Sequence, residues 1–270
     1  MRAPPLELIA SHRRAPVLLA LALLAPSLLA PRPAGAANPV EQEHRLIDEH
    51  SLLLDLPAMQ APAALSPWAI DASLEAVFIP HIDGRVADKV ELTASDHTPV
   101  FPRPRIMIGL PAPAGLRAFA GVSYIPPVTV SQVSTHYIAG EVGLGLAPGL
   151  LRLGVRGHAL YATTRSPVTE PSTRDVLETR EVGAELSVGV HLGRGALAVE
   201  PYASAGAVSL AGRFRVTVDG AVLRSVYNGP SFAGGVRLLV RKRLEVVTEL
   251  DAYPGRLTHA AVRFGYLFGG

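Results

Sequence analysis

The stretch Glu181-Val-Gly-Ala-Glu-Leu-Ser-Val-Gly-Val-His-Leu192 reads as two interleaved sequences. Val182, Ala184, Leu186, Val188, Val190 and Leu192 form one, and all are apolar. Glu181, Gly183, Glu185, Ser187, Gly189 and His191 form the other. A β-strand sends alternate side chains to opposite faces, so this segment presents one apolar wall and one polar wall. A helix would scatter both sets around its circumference.

The same period recurs on both sides. Residues 151–161 set Leu151, Leu153, Val155, Ala159 and Tyr161 against Arg152, Gly154, Arg156 and His158. Residues 243–253 set Leu244, Val246, Leu250 and Ala252 against Arg243, Glu245, Glu249 and Asp251. Residues 258–268 set Ala260, Val262, Phe264, Tyr266 and Phe268 against His259, Arg263 and Gly265. Weaker versions at 70–79, 105–110, 116–125, 136–146, 196–206 and 231–241 bring the expectation to about ten strands. Several are near the ~9–11 residues that cross a bilayer at a tilt. The connections alternate in length. Pro111–Gly115, Ala147–Gly149, Gly193–Gly195 and Arg241–Arg243 are short, whereas 80–104, 163–180 and 207–230 are expected to be long loops. Short turns on one rim and long loops on the other mark an up-and-down transmembrane barrel with an even number of strands.

Composition agrees. Only 18% of the 270 residues are charged and just two are lysines, Lys89 and Lys242, too few for an ordinary watery surface. Arg13-Arg14 precede the apolar run Val17–Leu24, and Pro26 and Ala34-Gly35-Ala36 follow it. This is the positive, greasy, small-residue order of a secretory signal. The run is too short for a permanent helical anchor, which needs ~20 residues. Residues 1–36 are therefore expected to be a signal peptide, 37–68 a helical or linker segment with a short helix over 40–54, and 69–270 the barrel. The chain's net charge is +2 and residues 1–36 hold +3, which leaves −1 and no electrostatic basis for nucleic-acid binding. Cysteine is absent, excluding disulfides and thiolate chemistry.

Alternation alone does not say which wall meets water. The polar walls are thin, and they carry both signs: Arg152, Arg156, Arg237 and Arg263 against Glu141, Glu185, Glu200, Glu245 and Glu249. Such groups can pair inside a narrow lumen. Glu141, Arg152, Arg156, His158, Glu185, His191, Glu200, Arg237, Glu249 and Arg263 are the expected lumen-lining residues. Tyr124, Tyr161, Tyr253, Tyr266 and Phe268, near strand ends, are the expected aromatic girdle. With signal peptide, dyad-repeat strands, turn asymmetry and the aromatic last strand Arg263-Phe-Gly-Tyr-Leu-Phe268, residues 69–270 resemble bacterial outer-membrane β-barrel proteins. The resemblance implies outer-membrane lipid as the surrounding medium, the barrel-assembly machinery as a partner during biogenesis, and no catalytic residues.

No Gly-x-Ser-x-Gly elbow, phosphate loop or His-Glu-x-x-His is present. Gly140-Glu-Val-Gly-Leu-Gly145 lies within a strand, where glycines leave lumen space rather than cradle a nucleotide. His136, His158, His191 and His259 come from separate strands and could converge as metal ligands; hydrogen-bonded lumen histidines are the simpler expectation. No cofactor and no metal are expected. The reading is a non-enzymatic all-β outer-membrane barrel, either a narrow passive channel for unspecified small solutes or a closed scaffold displaying loops. The alternatives are a soluble periplasmic or secreted lipid-binding barrel, and a membrane-embedded hydrolase using one of the histidines, testable at His191, with a nearby serine such as Ser187 or Ser204.

Overall fold

In the computed structural model the described residues are 47–48, 50–78, 100–113, 115–130, 132–167, 172–194 and 196–269. The expected signal peptide, the first part of the expected 40–54 helix and most of the first long loop lie outside them. Of that helix, residues 47, 48 and 50–53 are helical.

The period-two segments become β1 (Ile70–Phe78), β2 (Val100–Leu110), β3 (Leu116–Val130), β4 (Val133–Leu146), β5 (Leu151–Ser166), β6 (Asp175–Val190), β7 (Leu192–Arg194), β8 (Leu197–Arg215), β9 (Val222–Val240), β10 (Leu244–Tyr253) and β11 (Leu257–Phe268). Each pairs antiparallel with its neighbour, and β1 pairs with β11 from Ile70↔Phe268 to Phe78↔Ala260, which closes the sheet. The short β7 is a continuation of β6, since Gly189↔Tyr202 and Leu192↔Val199 keep one register along β8. The result is a closed antiparallel barrel of ten strands with β7 as an extra segment. Closure removes the free edges that an open sheet would expose.

Two expected loops prove shorter. β5 and β6 run to Ser166 and from Asp175, and β8 and β9 extend to Arg215 and from Val222, so most of 163–180 and 207–230 is strand. The cause is a reversal of the alternation. Val208, Leu210 and Tyr227 point inward and are buried, while Ser209 and Ala211 face out. Towards this rim the apolar face belongs to the interior, so a search for apolar-out strands stops too early.

One seam is incomplete. The Gly109 N–H donates to Ala69 and its carbonyl accepts from Trp68, so odd-numbered residues of β2 bond towards β1 and even-numbered ones towards β3. The even-numbered Pro102 and Pro104 have no N–H to give. The β2–β3 ladder ends at Arg105↔Ser123, with Ser123 Oγ donating to the Pro104 carbonyl at 2.6 Å. Continued three residues further, that register would oppose Pro102 to Pro126, and neither can donate.

The walls face as expected for a barrel with a charged lumen. Leu186, Val142 and Phe264 lie outward with 67%, 62% and 61% of their surface exposed. They belong to a belt with Leu74, Ile106, Val182 and Leu250, whereas Glu75, Arg105, Glu185, Glu249 and Arg263 point inward and are buried.

Candidate functional site: the filled lumen

The interior is occupied by the chain itself. Ile47 and Ser51 lie against Gly212 near the outer end of β8, so close that a Cβ on that glycine would come within 2.6 Å of either side chain. Leu52 packs with Val208, Leu210, Tyr227 and Tyr253, and Leu54 and Leu56 pack with Tyr137, Ala139, Leu160 and Ala162. Further on, Ala63 sits over Gly145 and the Ser66 carbonyl over Gly109, next to the short-turn rim where β1 begins. Residues 50–69 therefore thread the barrel from the long-loop rim to the short-turn rim.

Wall arginines hold its backbone. Arg103 Nη1 donates to the carbonyls of Leu54 (3.2 Å) and Asp55, and Arg105 Nη1 to that of Pro57 (3.0 Å). Arg156 Nη2 reaches Leu56 and Pro57, and Arg117 Nη1 reaches Ala63 (3.0 Å). A segment without regular structure leaves its carbonyls unpaired, and buried carbonyls need donors. Guanidinium groups supply several donors each.

Arg103, Arg105 and Arg156 also belong to one chain of ion pairs with wall acids, and Arg237 and Arg263 to a second. Glu75 takes Arg103 (2.7 Å) and Arg105 (2.6 Å); Arg105 Nε also donates to Glu141 (2.6 Å). Arg156 joins Glu141 (2.7 Å) to Glu185 (2.9 Å), and Arg237 joins Glu200 (2.6 Å) to Glu245 (2.7 Å). Arg263 bridges Glu245 and Asp71 (3.0 Å). Buried pairs of this kind gain little net stability over apolar packing, but removing one partner leaves an uncompensated charge.

A second polar group lies around Asp55 and differs in kind. His158 Nε2 is 3.0 Å from Glu181 Oε1 and 3.9 Å from Asp55 Oδ1. His259 Nε2 is 3.9 Å from Asp55 Oδ2 and 3.5 Å from Asp251 Oδ2, and the Tyr253 hydroxyl donates to Asp55. Among the described residues, no arginine forms an ion pair with Asp55, Glu181 or Asp251.

Of the residues singled out from the sequence, Glu141, Arg156, His158, Glu185, Glu200, Arg237, Glu249 and Arg263 are buried inside. Arg152 and His191 are half-buried; His191 Nδ1 lies 2.6 Å from Glu200 and is not hydrogen-bonded to Ser187 or Ser204 among the described residues. Of the four histidines, only His158 and His259 come together, on either side of Asp55; His136 stacks edge-on against Tyr124. Tyr124, Tyr161 and Phe268 are exposed, and Tyr266 is half-exposed against Phe268. Tyr253 is a correction: it is buried with its hydroxyl on Asp55, because it has the strand parity of Glu249 and Asp251. The sequence reading missed Asp55, Asp71, Glu75, Arg103 and Arg105. Asp55 lies outside any alternating segment, and Arg103 is flanked by the prolines of β2.

No protein-family model and no curated protein matches the sequence. Solved structures similar to it include several bacterial outer-membrane β-barrels. The translocator domain of the autotransporter NalP from Neisseria meningitidis is 10% identical, over 85% of this chain and 95% of that one, with a TM-score of 0.41. Ail, the attachment invasion locus protein of Yersinia pestis, is 9% identical over 75% and 100%, with a TM-score of 0.36. The Pseudomonas putida toluene transporter TodX is 11% identical over 77% and 70%, with a TM-score of 0.36. The architecture described above stands on strand register and burial, and no activity follows from these likenesses.

Proposed function

We propose that the protein is a non-enzymatic outer-membrane barrel that serves as a closed scaffold, its lumen filled by its own N-terminal segment, rather than as an open conduit. The observation that carries this reading is the buried passage of residues 51–63 through the barrel, held by arginines on its carbonyl groups. The outward belt of Leu186, Val142, Phe264 and their neighbours supports a lipid environment, since backbone and apolar side chains on a closed sheet satisfy hydrocarbon and not water. It also speaks against the soluble lipid-binding alternative, which would need those side chains inside. The expected signal peptide at 1–36 and the assembly machinery that inserts such barrels belong to the same proposal, with the long strand ends of β8 and β9 presented at the cell surface.

Planar-bilayer recording of the purified chain from residue 37 onward tests it. The expected result is no steady conductance at moderate voltage. Sustained single-channel currents from the intact protein would overturn the closed-scaffold reading in favour of a conduit.

A further inference from the structure

We infer that Asp55, His158 and Glu181 form a binding site for a divalent transition-metal ion, which fastens the lumen segment to β5 and β6. Three features carry this. The first is spacing: one ligand atom from each of the three residues lies within 4.8 Å of the other two. Two ligands at zinc distances of ~2.0–2.1 Å on tetrahedral directions stand about 3.3 Å apart. The His158 Nε2 separations of 3.0 Å from Glu181 and 3.9 Å from Asp55 bracket that value.

The second feature is charge. The buried arginines are engaged with Glu75, Glu141, Glu185, Glu200, Glu245 and Asp71. Asp55, Glu181 and Asp251 have only histidines as ion-pair partners among the described residues. Buried carboxylates without a cationic partner are costly, and a divalent ion supplies the missing charge at a point between them.

The third feature is the set of unsatisfied atoms. Asp55 Oδ1, Glu181 Oε2, Asp251 Oδ2 and both ring nitrogens of His259 are buried without a hydrogen-bond partner. Native interiors leave few such atoms unpaired, and an ion is one of the standard explanations. With Asp55, His158 and Glu181 as direct ligands, Tyr253 and His259 stand behind the Asp55 carboxylate. There they orient it, as outer-shell groups do at metal sites.

One imidazole and two carboxylates, with no thiolate, suit zinc, manganese or ferrous iron rather than a soft ion. The role is structural: the strand residues His158 and Glu181 and the lumen residue Asp55 would share one ion. The site is independent of the closed-scaffold reading, since a conducting barrel could hold the same ion.

The test uses the chain from residue 37, refolded in detergent, stripped with EDTA and then titrated with Zn2+. A parallel sample is refolded with Zn2+ present, and bound metal is measured by mass spectrometry after desalting. Co2+ serves as the optical probe. The expected result is one metal per folded barrel, a visible ligand-field spectrum with Co2+, and a higher unfolding temperature with Zn2+. Asp55→Asn and Glu181→Gln, which change little volume, should abolish stoichiometric binding, and His259→Gln should weaken it by about 10- to 100-fold. His191→Ala, outside the cluster, should bind as the parent does. Folding of each variant is checked by heat-modifiable gel mobility. Absence of stoichiometric Zn2+ and Co2+ in the folded parent under both loading conditions would overturn the proposal, whatever the variants do. So would undiminished binding in folded Asp55→Asn.

Discussion

Both carboxylate oxygens of Glu249, on β10, accept the backbone N–H of Met59, at 3.1 and 3.0 Å. The Tyr202 hydroxyl donates to the same group at 2.5 Å. One wall side chain therefore ties the middle of the lumen segment to β8, across the intervening β9. Glu249→Leu leaves both donors buried and unpaired, a loss of about 1–3 kcal/mol for each. Glu249→Gln keeps an acceptor and should lose less. Urea unfolding of the refolded barrel in detergent measures the difference.

Arg105 is expected to be a sensitive member of the ion-pair chain, because it joins Glu75 to Glu141 and also holds the Pro57 carbonyl. Arg105→Met should destabilise the barrel by about 3–5 kcal/mol, the range for breaking a buried pair from one side. Adding Glu75→Gln should cost less than the two single losses summed, since the Arg105–Glu75 pair is lost only once, but it should not restore the parent, since Arg103 then loses its carboxylate partner. A double-mutant cycle read by urea unfolding gives the coupling; strictly additive effects would contradict the network.

Leu186 reports on the medium outside. If hydrocarbon covers it, Leu186→Arg should cost about 2–4 kcal/mol when the protein folds into lipid vesicles. Ala221→Arg, exposed in the turn between β8 and β9 and outside the strands, should cost much less. Equal and negligible effects at the two positions would mean that water bathes the belt.

The foot of the lumen segment can be tested at Gly109. A Cβ there would fall 1.9 Å from the Ser66 carbonyl oxygen, so Gly109→Ala must move Ser66 or the strand. Trp68, the single tryptophan, lies two residues on and donates its N–H to the Gly109 carbonyl. Its fluorescence should shift in the variant, and thermolysin should cut within 51–69 more readily while the barrel keeps its heat-modifiable mobility. An unchanged spectrum and digestion pattern would show that the segment does not sit on Gly109.

The wall was largely written in the alternation of the chain. Glu181–Leu192 separates the two faces, and the structure puts Leu186 outside and Glu185 inside, as the scarce, mixed charges of the polar walls lead one to expect. Legibility fails where a second physical demand overlies the first. Val208 and Leu210 serve an apolar interior instead of lipid, so the same period carries the opposite sense and the strand looks like loop. Tyr253 follows an aromatic habit in the sequence reading but a parity rule in the structure: two positions from Asp251, it has to point inward. The lumen contents were hidden for another reason. Asp55 meets His158 and Glu181 only through contacts more than a hundred residues apart, which no local pattern encodes.

The prolines of β2 and β3 leave a stretch of the cylinder unlaced. Elsewhere two neighbouring staves part only if a row of amide bonds breaks in concert. Above Ser123, Pro102, Pro104 and Pro126 have already removed the donors, so little more than side-chain packing around Phe101 and Ile125 keeps these staves together. Thermal breathing of the wall should begin here, and this is where a rigid tube comes closest to having a hinge.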